Sequence, residues 1–378
     1  MKIGIMSFAH THAASYVRLL RAEPDIELLA ADPGPHPAAS HPAASHLPGE
    51  VRGAELARQL DVAYCDGYDQ LMAWGPDAVL ITSENARHRP LAELAASRGA
   101  HILCEKPLAT AWADGLAIAG AARAAGVTLM MAFPVRFASV FARLLATARA
   151  GLLGDIVSIR GTNNGKLPAE RAWFADPELA GGGAFADHVV HIADLIEALT
   201  GAEPLTATAV SNRKLYADRA RAETGGLVMI SYAGGVIAAI DCSWSRPATA
   251  PTWGGLTLSV AGTLGSVDLD FFGPRARGLD AATGRPIELP YGPDLNAPML
   301  RQFLLAIRTG QQPQPDASVG LRTLAVMLGA QQSARTGTTV DLRHLLLVFP
   351  SFSGEVTEGQ RGCGGRGWWA GWGCGPDL

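Results

Sequence analysis

The stretch Lys2-Ile3-Gly4-Ile5-Met6-Ser7-Phe8-Ala9-His10-Thr11-His12 decides how the chain is read. Five residues of buried-strand character run into a short segment of small and polar residues, and an amphipathic helical pattern starts at residue 13. A strand that passes through a tight turn into a helix N-terminus is the opening unit of a parallel α/β sheet. The turn gathers backbone N–H groups and the positive end of the helix dipole, which suits a phosphate. The alternation then repeats. Residues 26–31, 62–65, 78–82, 101–105 and 127–132 read as strands, and 13–22, 50–60, 69–74, 89–98 and 111–125 read as the helices between them. Several of these strands are apolar throughout, as expected when helices cover both faces. Residues 1–133 are therefore expected to form a doubly wound parallel sheet of the dinucleotide-binding (Rossmann) type.

The usual G-x-G-x-x-G is absent from the turn: Ser7, Ala9 and His12 stand at the three glycine positions. The candidate cofactor contacts here are Ser7, Phe8, Ala9, His10 and His12. Asp32 ends the second strand, where a carboxylate accepts hydrogen bonds from ribose hydroxyls and repels a 2′-phosphate. NAD is thus expected in preference to NADP, although an Asp before Pro33 also suits a simple turn.

Beyond residue 133 the pattern changes. A helix (139–150), a strand (156–162) and a helix (184–199) precede strands clustered at 205–210, 226–232, 236–244, 255–260 and 266–271. Clustered strands imply a second, α+β domain over 134–345 with a mainly antiparallel open sheet, closed by helices at 299–308 and 319–336. A sheet with one helical layer leaves a face to cover, so a homodimer or homotetramer is expected. Residues 33–48, with the tandem His-Pro-Ala-Ala-Ser at 36–40 and 41–45, read as a surface loop because prolines break any regular helix. The Gly- and Trp-rich segment 346–378 has no periodicity and reads as a disordered tail.

Across 378 residues, 31 Lys and Arg stand against 35 Asp and Glu, a net charge of -4. That balance gives no general attraction for nucleic acid or an anionic membrane. No apolar run reaches the roughly 18 residues a membrane span needs, and the N-terminus lacks the apolar region of an export signal. Cys65, Cys104, Cys242, Cys363 and Cys374 form no Cys-x-x-Cys pair. A cytoplasmic protein with reduced thiols and no bound metal is expected.

Two motifs carry chemistry. Strand 101–105 ends in Glu105-Lys106-Pro107, and a Lys at the carboxyl end of a parallel strand faces the ligand crevice. Later, Gly181-Gly182-Gly183 opens a helix on which Asp187, His191 and Asp194 share one side of an otherwise apolar surface. Polar groups are costly to bury there unless partnered, so the face is expected to line a site.

Taken in order, several segments resemble the Gfo/Idh/MocA family of oxidoreductases. They are the N-terminal strand and turn, Asp77-Ala78-Val79-Leu80-Ile81-Thr82 with Asn85 and His88 behind it, Glu105-Lys106-Pro107, Gly154-Asp155-Ile156 and the triple-glycine helix. The resemblance runs from residue 1 to about residue 343. It implies hydride transfer between NAD(P) and a sugar, polyol or related carbonyl compound. It puts Lys106, Asp187 and His191 on catalytic positions, and Ser83, Asn85, His88 and Glu105 near the cofactor. On that reading His191 accepts the hydroxyl proton, its ordinary pKa lying near neutrality. Asp187 orients His191 or binds a neighbouring hydroxyl, and Lys106 stabilises charge on the reacting oxygen. Trp173 and Arg136 are weaker candidates for the cleft wall, and loop 163–180 for substrate choice. Two alternatives stand beside this. One is a metal-dependent hydrolase using His10 and His12 with Asp187, His191 and Asp194. The other is a non-catalytic dinucleotide or sugar sensor.

Overall fold

The computed structural model describes residues 1–33, 50–290, 292 and 294–346. The proline-rich loop, apart from Pro33, and the Gly/Trp-rich tail beyond 346 lie outside the described residues.

The first sheet contains β1 (Lys2–Met6), β2 (Glu27–Ala31), β3 (Ala63–Tyr64), β4 (Ala78–Ile81), β5 (His101–Glu105) and β6 (Leu129–Ala132). All five pairings are parallel, in the order β3-β2-β1-β4-β5-β6. Helices α1 (His12–Arg21), α2 (Gly53–Gln59), α3 (Tyr68–Ala73), α4 (His88–Ser97) and α5 (Trp112–Ala125) connect them. Ile3 and Ile5 bury against Tyr16, Val17 and Leu20 of α1. On the other face Gly4 lets α3 approach: a Cβ there would sit 2.6 Å from Leu71 Cδ2. The strand order reverses between β1 and β4, so their carboxyl ends open the crevice in which ligands of such sheets bind.

After α6 (Ser139–Arg149) comes the long strand β7 (Ile156–Lys166), then α7 (Pro177–Ala180) and α8 (Val190–Thr200). The second sheet adds β8 (Pro204–Asn212), β9 (Gly225–Tyr232), β10 (Ile237–Arg246), β11 (Leu256–Gly262) and β12 (Ser266–Asp270). A small hairpin follows, β13 (Arg275–Leu279) with β14 (Pro286–Pro290). Helices α9 (Asn296–Thr309) and α10 (Ala317–Thr336) and the short β15 (Val340–Asp341) complete it. The seven strands lie in the order β12-β11-β7-β10-β9-β8-β15. Only β7 and β10 pair in parallel; the rest are antiparallel, as the clustering of strands predicts. Ile159, Val228, Ile230, Ala238, Ile240 and Cys242 point inward onto α6 and α8. Val210, Leu227, Met229 and Ile237 stand exposed on the other face.

The helices closing the chain do not stay with the second sheet. Met299, Phe303 and Leu304 of α9 complete the core of the first sheet. From Ser318 to Ala330 helix α10 is buried on nearly all sides, with Leu324 against Gly115 of α5 and Val326 and Ala330 in the core of the second sheet. A helix apolar all round is a buried one. Here it is packed between the two halves and ties them together.

Candidate active site

The first turn is built without glycine. Ser7 takes the left-handed conformation (φ +79°), which a residue with a Cβ adopts at a cost of roughly 1–2 kcal/mol. Its hydrogen bonds offset that cost: the hydroxyl donates to Asp32 Oδ1 (2.8 Å) and accepts from the amide of Ala9 (3.1 Å). Phe8 turns its ring into the core of the first sheet, so only its backbone is left at the turn. The carbonyl of Ala9 accepts from Trp173 Nε1 (3.0 Å) and Arg171 Nε (3.1 Å). The cleft-wall candidate Trp173 therefore lies on the turn itself, stacked on Phe174.

Asp32 closes β2 at the expected place, and its oxygens are taken. Arg52 reaches it twice (Nη2 to Oδ1 2.7 Å, Nε to Oδ2 3.0 Å), and Ser7 and the amide of Gly53 add two more donors. Burial alone would raise the Asp32 pKa, but the hydrogen bonds and charge of Arg52 outweigh it and hold the carboxyl below its ordinary value. Arg52 also reaches Glu84 (3.1 Å) and Ser7 (3.1 Å). Nothing in the local sequence marked Arg52, which stands twenty positions from Asp32 at the far end of the proline-rich loop.

Behind β4, Ser83 and Asn85 are buried, and Asn85 Nδ2 donates to the carbonyl of Ala180 (2.8 Å), joining the two halves of the chain. His88 Nδ1 lies 3.0 Å from the carbonyl of Pro107 and so secures the loop that follows Lys106. Glu105 is fully buried at the end of β5 and accepts from Tyr16 (2.6 Å), with His12 Nδ1 at 3.0 Å and His10 Nδ1 at 3.7 Å. Burial pushes the His10 ring down to about 3, against the opposing pull of Glu105.

Lys106 leaves the same strand end and crosses to the second half. Its Nζ donates to Asp187 Oδ1 (2.8 Å) and to the Asp187 carbonyl (3.0 Å), while Trp244 Nε1 holds Asp187 Oδ2 (3.0 Å). Burial would raise the Asp187 pKa; Lys106, with His188 and Trp244, more than reverses this and keeps it a carboxylate. The expected helix 184–199 begins as a π-helical turn, Phe185–Val189, before α8. Such wide turns often sit at functional sites. His191 has its ring edge-on to Phe133 (centroids 5.8 Å apart), and its Nδ1 is buried without a partner among the described residues. Burial, then the Lys106 charge, push its pKa well below the ordinary 6.5. The near-neutral pKa expected of this histidine is therefore not what the site gives: burial holds the ring neutral well below pH 6.5.

Asp194 does not join this group. It is fully buried and paired with Arg136 (Nη2 to Oδ1 2.7 Å), so two expected site residues serve the packing of α8 instead. Conversely, Tyr16, Arg52, Arg171 and Trp244 belong to the site and went unread. Arg52, Arg171 and Trp244 arrive from elements distant in sequence, and Tyr16 lies on α1, where its ring is part of the helix's buried face.

The residues present fit a dinucleotide. The first turn of α1 has no side-chain cap at Thr11, and His10 Nε2, Asn85 Oδ1 and His88 Nε2 are buried polar atoms without partners among the described residues. Such atoms are rare unless a ligand meets them. The turn and α1 would face the pyrophosphate, the end of β2 with its Asp32–Arg52 pair the ribose, and Lys106 the nicotinamide end.

Comparison with known proteins agrees with this geometry. Residues 34–133 match the oxidoreductase family with an NAD-binding Rossmann fold, and residues 141–268 match the GFO/IDH/MocA C-terminal domain. The chain is 28% identical over 328 residues to the D-apiose dehydrogenase of Paraburkholderia graminis, covering 82% of this chain and 85% of that protein. It is 29% identical over 307 residues to D-xylose 1-dehydrogenase (NADP(+)) 2 of Haloferax volcanii, covering 78% and 89%. The crystal structure of GenD2 from gentamicin A biosynthesis, in complex with NAD, shares the fold with a TM-score of 0.77 at 23% identity, covering 90% of this chain and 96% of that one. The two domain matches lie in the family's order on either side of the Lys106–Asp187 bridge, and the chain belongs to the Gfo/Idh/MocA family of NAD(P)-dependent oxidoreductases.

Proposed function

We propose that the protein interconverts a secondary alcohol and a carbonyl on a sugar or polyol, with NAD preferred over NADP. The observation that carries the reading is the Lys106–Asp187 bridge, which brings a cation at the end of β5 into contact with the turn that leads into α8. We divide the chain into a nucleotide domain (1–133) and a substrate and oligomerisation domain (134–345), from which α9 returns to the core of the first sheet.

When bound, the nicotinamide accepts or returns a hydride. The chain's own part is to handle the proton and the charge on oxygen. Lys106 has three N–H bonds. Two are used on Asp187. The third is left for the reacting oxygen, where it stabilises the negative charge that develops on oxidation. His191 is neutral and takes the hydroxyl proton on Nε2, the nitrogen left for the cleft once Nδ1 is buried. Asp187 is a positioning residue in this scheme: it aims Lys106 and is itself aimed by Trp244.

NAD preference rests on Asp32. A 2′-phosphate would have to approach the buried carboxylates of Asp32 and Glu84, whose cations are already engaged, Arg52 by both of them and Arg87 by Glu84. The relatives' names, an apiose and a xylose dehydrogenase, favour an aldose-sized substrate. The same reading places the protein in the cytoplasm, where its cofactor is plentiful and the unpaired Cys65, Cys104 and Cys242 stay reduced.

The test is a panel of aldoses and polyols offered with NAD+ and NADP+, read by absorbance of the reduced cofactor, alongside calorimetric titration of both cofactors. Turnover with NAD+ that is lost in Lys106→Met supports the reading. Cofactor binding with no turnover on any substrate would favour the sensor, and tighter binding of NADP+ than NAD+ would overturn the role of Asp32.

A further inference from the structure

His10, His12 and Glu105 converge where the first turn meets the end of β5. One ligand atom from each lies within 4.8 Å of the others, and the two imidazole centroids are 4.4 Å apart. Hydrogen bonding inside this cluster leaves it unfinished. The backbone amide of His12 lies 3.2 Å from His10 Nδ1 and is directed at it. An amide only donates, so Nδ1 holds a lone pair and no proton. Glu105 Oε1 is also an acceptor, already taking the Tyr16 hydroxyl. Two acceptors thus face each other across 3.7 Å, both nearly or fully buried. A cation between them would take the Nδ1 lone pair in place of the long 3.2 Å contact with the His12 amide, and would meet Glu105 Oε1 on its other side. Among the described residues no lysine or arginine lies within ion-pair distance of Glu105, its neighbour Lys106 being turned to Asp187.

We infer that His10, His12 and Glu105 form a binding site for a divalent transition-metal ion of the zinc class. Two imidazole nitrogens and one carboxylate oxygen are a set that zinc takes while keeping a fourth position open. Ligand atoms about 2.0–2.1 Å from a tetrahedral ion are about 3.4 Å from one another. The separations from Glu105 Oε1, 3.0 Å to His12 and 3.7 Å to His10, bracket that value, so small side-chain rotations close the site. Phe174 lies edge-on to the His10 ring at 5.3 Å and Trp173 stands behind it at 6.2 Å, which holds the ring in place. Calcium and magnesium prefer all-oxygen shells and are disfavoured by the two nitrogens. A water or an anionic oxygen would complete the shell. This is not the ligand set read from the sequence alone, since Asp187 and Asp194 are taken by Lys106 and Arg136.

The test uses the full chain, stripped with a chelator, dialysed, and titrated with zinc chloride by calorimetry. Cobalt(II) serves as a spectroscopic probe of four-coordinate geometry. The expected result is a zinc site whose affinity falls about 100-fold or more in His10→Ala and in His12→Ala, beyond what loss of a supporting partner costs. The cobalt band should disappear in both variants. Replacing His36 and His41 with alanine and Cys363 and Cys374 with serine, all outside the described residues, should leave the site intact. No zinc binding, or binding unchanged in both histidine variants, overturns the proposal. If His10→Ala fails to fold by circular dichroism, His12→Gln decides, since that side chain is 32% exposed and tolerates the change.

Discussion

His191 has no hydrogen-bond partner for its buried Nδ1, yet the charges of Lys106, Asp187, His188 and His12 all reach it. A base in that position works only while neutral, so activity falls as pH drops through its folded pKa. That pKa lies well below 6.5, so kcat/KM should stay flat through neutrality with its acid limb below 6.5. An acid limb at or above 6.5 that vanishes in His191→Ala would contradict the buried, neutral ring. The same variant should cut turnover by about 100- to 10,000-fold while leaving the calorimetric affinity for NAD nearly unchanged. Near-normal turnover would remove His191 from the proton path. Arg52 sets a second test. With side-chain exposures of 7% and 1%, Arg52 and Asp32 are a buried pair, and removing one partner strands the other. Arg52→Ala should destabilise the fold by about 3–5 kcal/mol in denaturant titration, whereas a surface pair would show under about 1 kcal/mol.

The turn that presents Asp187 is held at its N-terminus by a residue of another segment. Glu223 Oε1 accepts from the amides of Gly183 (2.9 Å) and Phe185 (3.0 Å), and its own carbonyl accepts from Ala184 (2.9 Å). These are the amides a helix start leaves unsatisfied, so Glu223 acts as a cap delivered from outside. Gly183 permits this approach: a Cβ there would lie 2.0 Å from the Glu223 carbonyl oxygen. Glu223→Ala should therefore cost about 0.5–2 kcal/mol of stability, in the range of a lost cap. It should also lower kcat, because Asp187 then aims Lys106 less well. Glu223→Gln keeps an acceptor oxygen and should restore most of both. Equal damage from Ala and Gln would show that charge, not capping, is what matters there.

The outer face of the second sheet carries Val210, Leu227, Met229 and Ile237 side by side, at 55–66% exposure. Cross-strand pairs place Leu227 against Val210 and Met229 against Thr208 and Ala239, which makes the patch continuous. We propose that this patch receives a second copy of the chain. Light scattering should give a dimer or tetramer, and Met229→Glu with Leu227→Glu should yield a folded monomer. A monomeric wild type at micromolar concentration would contradict the assignment. Acid stability is a property of the whole molecule too. His88, His188 and His191 are all pushed below their ordinary pKa by burial, and Asp187 is held low by Lys106 against its own burial. At these four groups the unfolded chain binds more protons than the folded one at every pH between the folded values and the unfolded ones; Asp194, raised to about 7 by burial, opposes them as a single group. For the histidines stability is lost as pH falls below about 6.5, and for Asp187 as it falls below about 4. The melting temperature should drop by several degrees from about pH 7 to about pH 5, at about 2–4 °C per kcal/mol. A flat profile would show that these histidines are not buried neutral.

Most strands and helices of both sheets were legible in the chain itself, because burial on one or two faces writes a local period into the residues. Ile3, Ile5 and Gly4 show it on β1, and Val228 and Ile230 alternating with Leu227 and Met229 show it on β9. The hairpin β13–β14 escaped because it lies outside either core and its first strand is largely exposed, so no period was imposed. Glu105, Lys106, Asp187 and His191 stood out as polar groups at a strand end or on an apolar helix, where their presence demanded a reason. Which partner each one meets is not a local property. Asp194 shares a helix with His191, but α8 turns it toward Arg136; Asp32 closes β2 as expected, but Arg52 arrives from beyond the loop to take its oxygens. His10 and His12 read as part of a phosphate turn until β5 set Glu105 beside them. Periodicity and turn chemistry act over a few residues and so survive in the sequence. The pairing of side chains depends on which strands become neighbours, and that emerges only when sheets and helices pack.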